Sequence, residues 1–359
     1  MRVETLFWSC YKRLMRHFLL ASWLLISLTF SVFSAETQKL NLFIWSEYID
    51  PDVVKDFERQ FKCRVIVDVY EDAESMLSKI QGGGVAQYDV VVPPDHLVTS
   101  MIHLKLLAPL RAERLPNLKN LEERFLNPPY DPGNRYCAPY QWGTVGVYAR
   151  KGGGKPIEES WGIFFDGKLQ PGPIALIDSL RDQIGAALKY RGHSLNSTDP
   201  KQLKEARDLI LDAKKRAVAF EGSVGGKNRV LAKTARAAIV YSGEAGRGIN
   251  EDPDTYYFIP REGSQIWVDN LAILAKAPHR ELAEAFLNFM LDAKVGARVS
   301  NFTQFSSPNR AAKEFIKPEF LKNSVLYPDE AVMKKLEFLQ DLGSKTRLYD
   351  EVWTQVKSR

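Results

Sequence analysis

The sequence predicts an α/β protein built on an open, mostly parallel sheet flanked by helices. Two patterns carry this expectation. Short apolar runs bounded by turn residues (KLNLFIW at 39–45, RVIVDV at 64–69, YDVVV at 88–92) read as buried strands. Between them lie stretches whose apolar residues recur every three or four positions, as in helices, and strand–helix alternation belongs to open α/β sheets. A third observation is length: 359 residues suggest about two domains or lobes.

The elements follow in order. Asp50 caps a helix with Pro51 at its first position, and Val53, Val54, Phe57 and Phe61 share one face. Residues 72–80 read as a helix ended by Gly82, Gly83 and Gly84, and Pro93 and Pro94 stop the third strand. After a Pro/Gly/Asn-rich passage at 127–134, the run from Tyr136 to Tyr148 is long, apolar and aromatic, fit for a strand crossing between lobes. Lys151–Lys155 is a loop, 173–177 a strand and 182–190 a helix. Asp199 and Pro200 start another helix with Leu203, Ala206 and Ile210 inward. AAIVY at 237–241 and the run 267–274 are strands. Residues 279–292 form an amphipathic helix with Leu282, Ala285, Phe286, Phe289 and Met290 inward, and the last fifty residues are mostly helical.

The amino terminus reads as an export signal. Arg2, Lys12, Arg13 and Arg16 precede the uncharged run Phe18–Ala35, which ends in small residues before Glu36. Residues 1–35 are read as a signal peptide cut near Ser34 or Ala35, with Met15 as an alternative start; an uncleaved anchor is the competing reading. No cysteine ends the apolar run, which disfavours a lipoprotein. Removing residues 1–35 takes away four basic residues and one acid, so the formal charge falls from +5 to +2. That balance, with basic residues scattered, gives no reason to expect a nucleic-acid partner. Cys63 and Cys137 remain, either as a disulfide or as two buried thiols in separate strands.

Catalytic and metal signatures are missing. GSVGGK at 222–227 lacks the phosphate-loop frame, GxSxG and HExxH are absent, and the five histidines show no tight ligand spacing. Aromatic and acidic residues instead gather at predicted strand ends: Trp45, Ser46, Glu47 and Tyr48; Asp178 and Asp182; Tyr241 and Glu244; Trp267 and Asp269. Open α/β sheets bind ligands at that edge. Carboxylates pair with ammonium groups, and ring faces attract cations and cover methylenes, so the mixture suits a small cation with an apolar body.

Several stretches carry a resemblance. IWSEYI (44–49), YDVVVP (88–93), APYQWG (138–143), NSTDP (196–200), PREG (260–263), WVDNLAI (267–273) and SPN (307–309) occur here in the order found in the polyamine (spermidine/putrescine)-binding proteins of ABC importers, type II periplasmic binding proteins. From about Leu40 to Arg359 the chain is similar to that family. The resemblance implies a two-lobed fold with the cleft between lobes: lobe one at 36–143 and 268–308, lobe two at 144–267, and helices at 309–359 packing across them. It implies a periplasmic monomer that captures a polyamine and docks to membrane permease subunits, with no cofactor, no metal and no catalysis.

Residue by residue, the resemblance implies that Trp45 and Tyr48 wall the entrance beside Ser46 and Glu47. Trp267 stacks on the methylene chain and Asp269 pairs with an amine. Tyr241 stands where the family has a stacking Trp, Asp182 where it has a ligand Glu, and Glu244 matches an acid of putrescine-type members. His96 and Phe305 replace contact tyrosines, Ser179 stands where spermidine-type members are acidic, and Leu339 aligns with a polar contact. Trp142 is expected in the core. Two other readings stay open: the same fold binding another cationic or amino-containing solute, perhaps as a sensor, and an exported hydrolase using Asp182, Glu244 or His96 as acid or base.

Overall fold

A computed structural model describes residues 38–152 and 156–358. Backbone contacts divide the chain after Gln38, and all that follows concerns the unit Lys39–Arg359. The expected export signal lies outside the described residues, as do residues 153–155 of the Lys151–Lys155 loop. No described helix is long and apolar enough to cross a membrane.

The first half alternates as expected. β1 (Gln38–Trp45) leads to α1 (Pro51–Phe61), where the Asp50 carboxylate accepts the Asp52 N–H and Val53 and Phe57 are buried. β2 (Cys63–Tyr70) is followed by α2 (Ala73–Gln81), capped by Asp72 and closed at Gly82. β3 is only Val90–Val91, shorter than the apolar run 88–92, because Pro93 and Pro94 turn the chain into α3 (Asp95–His103).

β4 (Cys137–Arg150) is the organising strand. Its first part, Cys137–Thr144, pairs antiparallel with a later strand, from Cys137↔Ala272 to Thr144↔Ile266. Its second part changes partners, with Val145↔Tyr241 through Ala149↔Ala237 on one side and Val147↔Phe258 through Arg150↔Thr255 on the other. The elements beyond it are α4 (Gly162–Phe165), β5 (Ile174–Ile177), α5 (Leu180–Tyr190), α6 (Pro200–Arg216), β6 (Ala217–Glu221) and α7 (Ser223–Leu231). Then come β7 (Ala237–Tyr241), α8 (Ser242–Glu251), β8 (Thr255–Phe258), β9 (Ser264–Ile273), α9 (Arg280–Met290) and α10 (Ala293–Thr303). The strand order is β2-β1-β3-β9-β4-β7-β5-β6, with β8 added to β4.

Seven elements (α3, α4, β6, α7, α8, β8 and α10) were not anticipated. α7 reads SVGGKNRVL, and two glycines obscure its helical period. β6 (AVAFE) and β8 (TYYF) are only five and four residues long and only partly buried, so their short runs do not stand out from their neighbours. The last fifty residues hold α11 (Pro318–Leu321), α12 (Glu330–Met333), the strand β10 (Leu336–Phe338) paired parallel to β9, and α13 (Thr346–Ser358). Tyr349, Val352 and Val356 of α13 join the main core. Ser179 occupies the cap position of α5, and the Asp178 carboxylate pairs with Lys357 at 2.6 Å. Cys63 and Cys137 are buried free thiols, the Cys137 Sγ–H donating to Asp131 at 3.3 Å.

Two glycines set how closely the elements approach at the sheet crossing. A Cβ on Gly143 would lie 2.5 Å from Cζ2 of Trp267, and a Cβ on Gly243 would fall against the ring of Phe305. Gly143→Ala and Gly243→Ala are each expected to lower stability by about 1–3 kcal/mol through overpacking. Urea unfolding checks this; midpoints equal to wild type in both variants would contradict the packing described.

Candidate functional site

Four carboxyls are buried where the two parts of β4 meet their partners: Asp269 in β9, Asp182 in the first turn of α5, Glu244 in the first turn of α8 and Asp95 at the start of α3. Burial in low dielectric disfavours a carboxylate, so each needs donors or a cation.

Asp269 receives the Tyr48 hydroxyl at 2.7 Å. Tyr48 is held in turn: its carbonyl accepts the Tyr140 hydroxyl at 2.8 Å and Gln141 Nε2 at 3.3 Å. The Trp45 indole, 4.6 Å from the Tyr70 ring between centroids, lies near enough to favour the ionised carboxyl while making no well-formed hydrogen bond. The fully buried Asp95 opposes ionisation from α3, where its carboxylate accepts the His96 and Val268 N–H groups. Burial dominates, and the Asp269 pKa is pushed up to about 8.

Asp182 accepts two hydroxyls at one oxygen, from Tyr241 at 2.6 Å and Ser179 at 2.7 Å. Burial raises its pKa, opposed by these hydrogen bonds and by His96 and Arg181 nearby. The His96 Nδ1 is itself buried without a hydrogen-bond partner, 3.6 Å from Asp95. Among the described residues neither Asp182 nor Asp269 makes an ion pair within 4.0 Å. Glu244 differs: its Oε1 accepts from Arg247 at 2.8 Å, while Oε2 is buried without a partner. Burial raises its pKa, with Arg247 opposing.

Rings join the acids. Tyr48 meets Phe305 edge-on at 5.3 Å, Phe305 meets Trp267 at 5.3 Å, and Trp267 meets Tyr241 at 5.9 Å. The row runs from the tyrosine on Asp269 to the tyrosine on Asp182. An elongated ligand with cationic ends and a hydrocarbon middle matches this order of groups.

Of the residues singled out from sequence, Trp45, Tyr48, His96, Asp182, Tyr241, Glu244, Trp267, Asp269 and Phe305 come together here. Ser46 is half-buried with its N–H on the Tyr70 carbonyl, and Glu47 is exposed at a left-handed φ of 53°, acting on Glu244 only through its charge. Leu339 is buried and its neighbour Gln340 accepts from Arg181 through its carbonyl. Trp142 packs with Phe125, Ile266 and Val268, in the core as expected. Asp95, Tyr140 and Arg247 were missed. Asp95 follows the double proline beside His96, a signal that was available; the partnerships of Tyr140 and Arg247 arise only in the fold. A cavity of about 490 Å³ between α1, α9 and α10, lined by Phe61, Asn117 and Asn288 among others, contains none of these residues.

Comparison with known proteins agrees with this architecture. Residues 52–328 match the model of the bacterial extracellular solute-binding protein family, and the chain belongs to that family. Its fold is the two-lobed periplasmic binding protein fold. A putrescine/cadaverine-binding protein of Pseudomonas aeruginosa is 35% identical, covering 90% of this chain and 94% of the relative. The spermidine/putrescine-binding periplasmic protein of Escherichia coli K12 is 29% identical over 97% and 99% of the two chains. Among solved structures, a spermidine/putrescine ABC transporter substrate-binding protein from Streptococcus pneumoniae superimposes with a TM-score of 0.78 at 30% identity, covering 90% and 99%.

The Asp269 environment makes stability depend on pH. An unfolded Asp titrates near 3.9. Between that value and about 8 the folded chain holds the extra proton, so stability of the ligand-free protein falls as pH rises through this window. Asp269→Asn, which mimics the protonated form, is expected to have a higher urea midpoint than wild type at pH 8 and a matching one at pH 4. Parallel pH profiles for the two proteins would refute the assignment.

Proposed function

We propose that this chain is an extracytoplasmic receptor that captures a polyamine of the putrescine class and delivers it to the permease subunits of an ABC importer. The observation that carries the reading is a pair of buried carboxyls, Asp269 and Asp182, each held by hydroxyl donors and, among the described residues, without an ion pair within 4.0 Å, at the two ends of a ring row. Ammonium groups would complete the charge balance, and Trp267 and Phe305 would cover the carbons between them. The polyamine-binding relatives support the same ligand class.

The lobes are taken as 36–143 with 268–308, and 144–267, residues 309–359 packing across them. The change of β4 partners between Thr144 and Val145 supports a boundary there. A ligand held by Asp269 on one side and Asp182 on the other favours the closed arrangement by its differential affinity. Residues 1–35 direct export to the periplasm, and the chain acts as a monomer that releases its ligand chemically unchanged.

Calorimetry with putrescine and cadaverine tests the site. Asp182→Asn and Asp269→Asn are each expected to cost about 2–5 kcal/mol of binding, the usual penalty for truncating one partner of a buried charge pair, which is at least about thirtyfold in Kd. Diamine affinity unchanged in both variants would exclude this site.

A further inference from the structure

Asp269, Asp182 and Glu244 differ in what opposes their charge. Among the described residues only Glu244 of the three is ion-paired within 4.0 Å, to Arg247 one turn further along α8. The guanidinium is held three ways: Nη2 donates to Glu244 Oε1 at 2.8 Å, Nη1 donates to the Thr303 carbonyl at 3.0 Å, and its carbon lies 5.8 Å from the centre of the Phe305 ring. The pair is mostly enclosed, with side-chain exposures of 20% for Arg247 and 9% for Glu244. It belongs to the same site: the Glu244 charge is felt by the hydroxyls of Tyr48, Tyr241 and Tyr257, and Phe305 is part of the ring row. Glu244 Oε2, buried without a hydrogen-bond partner, marks unused accepting capacity beside it.

We propose that Arg247 is a specificity-determining residue that stands in for a third ammonium group, so that the site offers two carboxyls without an ion-pair partner, Asp182 and Asp269, and selects diamines over triamines. This rests on the polyamine reading above. A triamine brings one more charge than Asp182 and Asp269 can neutralise. Its extra ammonium would be buried unpaired or would compete with a guanidinium already fixed by two hydrogen bonds, and either is unfavourable. The discrimination is therefore built from a repulsive element as well as from the acids that attract.

The test is the ratio of spermidine to putrescine affinity, measured by calorimetry on the purified chain. Wild type is expected to prefer putrescine. R247M frees Glu244 and is expected to raise spermidine affinity at least about tenfold relative to putrescine, while R247K, which keeps the charge, holds the ratio near wild type. E244Q introduces no cavity and leaves Arg247 uncompensated; spermidine binding is expected to fall further than putrescine binding. Putrescine binding retained with an unchanged ratio in R247M, or spermidine binding strengthened in E244Q, overturns the proposal alone. A wild-type protein that binds no diamine overturns the polyamine reading as well.

Discussion

The cost of burying a carboxylate governs this molecule. An isolated ion moved out of water loses several kcal/mol even after the protein relaxes, so buried acids survive only among donors or counter-ions. Here Asp182 and Asp269 are given hydroxyls but, among the described residues, no ion pair within 4.0 Å. Most of the surrounding features answer to that fact: the tyrosines that reach the acids, the hydrogen bonds that hold Tyr48 in place, and the raised pKa of Asp269.

Fold topology decides how well each acid is supported. Asp182 and Glu244 stand in the first turns of α5 and α8, and Asp95 opens α3, where unpaired N–H groups and the helix dipole favour negative charge. Asp269 lies within β9 and receives no such help; it also faces Asp95. Its pKa near 8 follows from that placement. The site thus combines helix-supported carboxyls with one, Asp269, held mainly by a single tyrosine hydroxyl, and among the described residues only Glu244 of Asp182, Asp269 and Glu244 is ion-paired.

Most of the first half was legible in the sequence because its cues are local. Asp50 with Pro51 and Asp72 with Gly82 mark helix ends within a few residues of themselves. The crossing strand was visible as an unbroken aromatic and apolar run. The stretch from 217 to 258 was harder, since α7 and α8 are both glycine-bearing and the strands beside them are short. In the site, acids and rings at strand ends could be named from pattern and family likeness. Which acid has a resident cation could not. Arg247 sits three residues after Glu244, an ordinary helical spacing, and its meaning comes from Thr303 and Phe305, more than fifty positions away.

The close seating of Trp267 over Gly143 and of Phe305 against Gly243 has an evolutionary corollary. Each pair is a lock whose two halves lie far apart in the chain. A methyl group can enter at 143 or 243 only if the opposing ring shrinks or retreats, so descendants that remodel the chamber for a bulkier cargo would have to change both members together. Drift at either glycine alone is closed off by shape, whatever solute the lineage comes to carry.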